Sequence, residues 1–99
     1  MSNKKQLTPF IGYFEKMTTP EIIVVEGRTP KKRALVTIVT DDEQKAFFEV
    51  RDVVIARIEK LGLRPGDQIE IGFVFIGSEK NNKVYNNIFI NQIDYVKPY

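Results

Sequence analysis

DVVIARIEKLGLRPGD, residues 52–67, is the stretch that decides the fold. It reads as one helix in a chain that otherwise alternates like strands, followed by a turn that launches a new strand. Asp52 has the side chain of an N-cap, able to accept the free N–H groups of a first helical turn. Val54, Ile58 and Leu61 recur at i, i+4 and i+7, with Ile55 widening the stripe, while Arg57, Glu59 and Lys60 take the other side. Gly62 stands where a left-handed stop is wanted. Pro65-Gly66 has the chemistry of a type II turn, Pro presetting φ and Gly supplying φ > 0. A single short amphipathic helix between strand runs cannot cover an open sheet. It can plug one end of a small barrel.

Working outward from the helix, the flanking segments read as strands. Residues 45–51 (KAFFEVR) alternate, with Ala46, Phe48 and Val50 facing one way and Phe47, Glu49 and Arg51 the other. Before them, 41–44 (DDEQ) is a polar turn and 34–40 (ALVTIVT) a strand. Residues 27–33 (GRTPKKR) read as a loop, with four positive charges in seven residues. The run 21–26 (EIIVVE) has the β-branched composition of a buried strand. Residues 9–15 (PFIGYFE) form an aromatic strand with Gly12 as a bulge or close-approach point. After the helix, 68–78 carry Ile69, Ile71, Phe73 and Phe75 in period two, and 79–82 (EKNN) close a hairpin. In the final strand, 83–96, Ile88 and Ile90 read as interior and Tyr85, Asn87, Phe89 and Asn91 as the other face. The alternation slips near Ile93, which predicts a bulge or bend. The expectation is an all-β barrel: a five-stranded OB-fold with one helix between strands 3 and 4.

Ninety-nine residues fit one domain, read as 9–99 after a polar, basic arm at 1–8. No apolar run approaches a membrane span, and the first residues lack the apolar core of a signal peptide. The sequence has no cysteine, which suits a reducing cytoplasm. With no histidine either, and serine only at Ser2 and Ser78, a nucleophile–base–orienter set cannot be assembled. Asp41-Asp42-Glu43 is the one carboxylate cluster, and three consecutive acids in a tight turn suit solvation better than a hard cation. The reading is therefore a non-enzyme with no cofactor and no metal.

Residues 34–96 resemble small bacterial OB-fold domains akin to single-stranded DNA-binding proteins, including an uncharacterised family common in Bacteroidetes. The resemblance is carried by FFEVRDVVIARIEKLGLRPGDQIEI and by NNKVYNNIFINQIDYV. It implies a bacterial or phage cytoplasmic protein, a homodimer or higher homo-oligomer, that holds single-stranded nucleic acid, DNA in preference to RNA. Two family features have no match here: a tryptophan for stacking, and an acidic tail after Tyr95-Val96-Lys97-Pro98-Tyr99.

The residues themselves give two partial signals in the same direction. Arg28, Lys31, Lys32 and Arg33 fall between the first and second barrel strands, in a loop with which OB-folds grip oligonucleotides, and a dense basic loop can follow a phosphate backbone by releasing counterions. Most of the seven Phe and four Tyr should be core, Phe48, Phe73 and Phe75 among them. Phe47 shares its face with Glu49 and Arg51, where a ring can stack on a base or pack against a second subunit, with neither reading favoured. Tyr85 and Phe89 are further candidates, a subunit interface being the favoured reading for both. The candidate nucleic-acid contacts are thus Arg28, Lys31, Lys32, Arg33, Phe47, Arg51, Lys83 and Tyr85. The competing reading is an OB-like interaction module whose open face and apolar fourth strand serve assembly.

Overall fold

A computed structural model describes residues 10–96, the side chain of Lys80 excepted. The arm expected at 1–8 lies outside the described residues. The elements in chain order are β1 (Phe10–Met17), β2 (Glu21–Ile23), β3 (Lys31–Val39), β4 (Lys45–Arg51), α1 (Asp52–Leu61), β5 (Gln68–Lys80) and β6 (Lys83–Tyr95). They form one six-stranded sheet in the order β1-β5-β6-β4-β3-β2, and an additional β1–β3 pairing closes the first five of these into a barrel. Only the β4–β6 contact, at Glu49 and Phe89, is parallel. This is the closed five-stranded OB barrel, with β2 hung outside the ring.

In chain order the helix follows the fourth strand, not the third, because 21–23 make a short strand of their own. The same strand corrects the reading of 21–26 as buried. β2 pairs with β3 alone, through Glu21–Arg33, Ile22–Lys32 and Ile23–Lys31. An edge strand outside the closure has no second layer over it, and Ile22 stays 64% exposed.

Inside the barrel the period-two pattern is kept. Ala34, Val36 and Ile38 of β3, Phe48 and Val50 of β4, Ile69 and Ile71 of β5 and Ile90 and Ile93 of β6 are buried, and Phe14 joins them from β1. Phe10, Phe48 and Phe73 meet at ring-centroid separations of 5.7 to 6.2 Å. The helix lays Ile55 and Ile58 fully on this core, with Val54 and Leu61 packed at its margin, so the stripe centres one residue from where periodicity put it.

Helix ends and turns follow local chemistry. Gly62 takes φ 63° and its N–H donates to Glu59 O at 3.2 Å, closing the helix as expected. Asp67 N–H donates to Arg64 O at 3.0 Å around Pro65 and a Gly66 with φ 95°, the expected turn. That turn is sewn to β1, since Gly66 N–H reaches Phe14 O and Phe14 N–H reaches Asp67 O, both at 2.8 Å. Asp52, by contrast, is the first helical residue rather than the cap, and Arg51 holds the cap position without a side-chain bond. The acids 41–43 form the β3–β4 turn, where the Thr40 hydroxyl donates to Asp42 and accepts the Gln44 N–H at 3.1 Å.

The β5–β6 pair is regular neither in register nor in cover. The slip expected near Ile93 is a bulge at Asn91, where Gly72–Gln92 is followed by Phe73–Ile90. Beyond Val74 and its partner Phe89 the two strands ladder only with each other, because β5 pairs with β1 only up to Ile71 and β6 meets β4 only at Phe89. Phe75, expected in the core, is consequently 68% exposed. The ribbon ends in a two-residue turn at Asn81-Asn82, both with positive φ.

Gly12 is the tightest point of the closure. A Cβ there would sit 2.5 Å from Cγ2 of the buried Ile38 and 3.1 Å from Val39 O. Gly12→Ala is expected to lose about 1–3 kcal/mol by overpacking, read as a lower urea midpoint with an unchanged m-value.

Candidate functional site

Strand alternation builds one continuous outer face from β3, β4 and β6. On β3, Lys31, Arg33 and Leu35 point away from the core, and on β4 Phe47, Glu49 and Arg51 do so. Across the ladder, Arg33 lies opposite Arg51, Leu35 opposite Glu49 and Thr37 opposite Phe47. The Glu49–Phe89 bridge then carries the face onto β6, where Tyr85 and Asn87 share Phe89's side. Phe47 is 60% exposed at its centre, and Leu35 and Tyr85 are also open.

The basic run is not a loop along its whole length. Lys31, Lys32 and Arg33 open β3, because β2 pairs with them, and only residues 24–30, with a turn closed by Arg28 N–H to Val25 O at 2.9 Å, precede them as irregular chain. Strand geometry then divides the charges. Lys31 and Arg33 stand on the outer face beside Arg51. Lys32 falls on the opposite side, and its backbone N–H donates to Asp52 Oδ1 at 2.9 Å. The carboxylate expected to cap the helix instead ties the start of β3 to the start of α1.

Arg28, Lys31 and Arg51 line one cleft of about 300 Å³ together with Ile23, Val25 and Thr29. Arg33 borders a neighbouring one of about 350 Å³, with Thr18, Thr19, Glu21, Ala34, Leu35 and Glu49. Each of two arginines has an acidic partner: Glu21 Oε2 lies 3.3 Å from Arg33, and Glu49 Oε2 2.6 Å from Arg51. The Arg51 guanidinium carbon stands 5.1 Å from the centroid of the Phe89 ring, a cation–π arrangement. The structure therefore brings Arg28, Lys31 and Arg51 into one cleft, sets Arg33 across the ladder from Arg51, and places Phe89 against Arg51, with Phe47 on the same outer face. It leaves Lys32 on the other side. Lys83 stands at the ribbon tip, six strand positions and so about 20 Å from Phe89.

Sequence reading missed Ile23 and Val25 as cleft walls and Glu49 and Glu21 as partners. A signal for the second was present: Glu49 and Arg51 at i and i+2 on a strand must share a face. The first was hidden, because EIIVVE has the same composition on an edge as in a core.

No protein-family model and no curated protein matches the chain. Among solved structures it is similar to the small single-stranded DNA-binding protein from Streptomyces coelicolor, at 14% identity over 90% of this chain and 92% of that one, with a TM-score of 0.49. It is also similar to a Plasmodium falciparum SSB in complex with single-stranded DNA, at 18% identity over 97% and 100%, with a TM-score of 0.47. At that similarity no residue role passes from either protein to this chain. Among the described residues no helix is long and apolar enough to cross a membrane.

The Asp52–Lys32 bond gives the first check on this site. Asp52→Ala is expected to cost about 1 kcal/mol of stability, and Asp52→Asn, which keeps an acceptor oxygen, less. Urea unfolding of the two variants measures both, and equal losses would contradict it.

Proposed function

We propose that this barrel is a non-catalytic, sequence-tolerant binder of single-stranded nucleic acid. The observation that carries the reading is the meeting of Arg28, Lys31 and Arg51 in one cleft, Arg51 lying against Phe89, with the open ring of Phe47 on the same outer face. Cations that line a groove neutralise phosphates, and an exposed ring beside them stacks on a base whatever its identity. Arg28, Lys31, Arg33 and Arg51 are assigned to the backbone, and Phe47 to stacking, with Tyr85 further along the face. Lys32 points to the other side of β3, and Lys83, about 20 Å along β6, would meet a different part of a ligand.

Titration of labelled oligo-dT at several salt concentrations tests the reading. With about four phosphates neutralised, log K should fall with log salt at a slope of roughly −3. Absence of binding at low salt would remove the proposal. Phe47→Ala should weaken binding by about 1–3 kcal/mol at unchanged slope, whereas Arg28→Glu with Lys31→Glu should weaken it and flatten the slope.

A second reading is favoured by one feature. Phe75, Ile76 and Val84 leave apolar surface exposed on the ribbon, Val84 at 71%. Such a surface suits assembly with another copy, and the two roles use different parts of the molecule. Sedimentation separates them: a stable oligomer that ignores oligonucleotides would favour assembly alone.

A further inference from the structure

Arg51 is held in a way that the other cations on this face are not. Glu49 Oε2 accepts from its Nε at 2.6 Å and lies equally close to Nη2, so the carboxylate occupies one edge of the guanidinium. Phe89 covers one face at 5.1 Å. The Glu49 side chain is only 11% exposed and that of Arg51 41%, so the acid sits beneath and the arginine above. Among the described residues no other acceptor takes the guanidinium. The remaining edge, Nη1 with Nη2, meets no acceptor among the described residues, and Arg51 lines the cleft shared with Arg28 and Lys31.

A guanidinium fixed by one edge and one face loses little further freedom when its second edge binds, and that edge matches two phosphate oxygens at once. Lysine cannot reproduce this, since its ammonium is a point charge on a flexible stem. Glu21 is a different case. It meets Arg33 at 3.3 Å with both side chains open to solvent, which fixes neither.

We infer that Arg51 is the oriented phosphate contact of this face, binding one backbone phosphate bidentately through its free edge, and that Glu49 and Phe89 are the positioning residues that aim it. This rests on the nucleic-acid reading and adds a rank order to it. The cations do not contribute equally, and an acid inside the site strengthens binding.

The test compares Arg51→Lys, Glu49→Gln and Phe89→Leu with the unaltered protein on oligo-dT across a salt series, with Glu59→Gln on the exposed side of the helix as a charge control. Arg51→Lys keeps the charge, so it should lose about tenfold in affinity at an unchanged salt slope. Glu49→Gln should also weaken binding, although it makes the protein more positive, while Glu59→Gln leaves affinity equal or slightly higher. Phe89→Leu should fall with Glu49→Gln. If the unaltered protein binds and Arg51→Lys binds equally well, this assignment is overturned and the nucleic-acid reading stands. Glu49→Gln binding as well as, or more tightly than, the unaltered protein overturns it too, because the acid would then be no aid to Arg51. No binding by the unaltered protein removes both.

Discussion

The pairing of β1 with β3 is the constraint on which this molecule depends. Without it the six strands are a curved sheet with two open edges. With it, five of them share a ring and the sixth is left over. The pairing is brief: it runs from Tyr13–Val39 to Met17–Val36 and absorbs a bulge at Glu15. It is possible because Gly12 offers no side chain where the strands turn toward each other, and Ile38 fills that space instead. Everything functional depends on the closure. Its last pair is Met17–Val36, and toward its start β3 takes β2 as a partner along Lys31–Arg33 instead.

The outer face also shows how a small sheet tolerates concentrated positive charge. Arg33 and Arg51 stand directly opposite each other on adjacent strands, an arrangement that by itself destabilises a pair of strands. Each is offset by an acid from its own side, Glu21 for one and Glu49 for the other. The two compensations differ in kind. An exposed pair is loose and screened by salt, while a short contact to a mostly covered carboxylate fixes direction.

What the sequence disclosed was what local chemistry controls. The helix at 52–61, its glycine stop, the Pro65-Gly66 turn and the inward phase of β4 and the first half of β5 were legible, because periodicity and turn residues state them directly. The faces of Phe47, Glu49 and Arg51 were legible for the same reason. Misreadings came where composition does not reveal the number of neighbours. EIIVVE looks buried and is an edge; Phe75 keeps the core phase and lies beyond the last strand that could cover it. Lys31–Arg33 looked like loop because it is charged, but it is the start of β3, paired with β2 and open to solvent on both sides. Asp52 was recognised as an acceptor at the right place, yet the donor is Lys32, twenty residues away in sequence. Pairing across the chain decided each of these, and no window of residues contains it.

The β5–β6 ribbon has a property that the barrel lacks. Rows from Phe73 inward must match the volume and shear of a closed ring, so residues cannot be added there without displacing a partner. Past the Val74–Phe89 row each strand ladders only with the other. Lengthening both equally would carry the Asn81-Asn82 tip outward by about 3.4 Å per added residue and leave the interior as it is. Reach is therefore a free variable in this architecture, adjustable independently of folding.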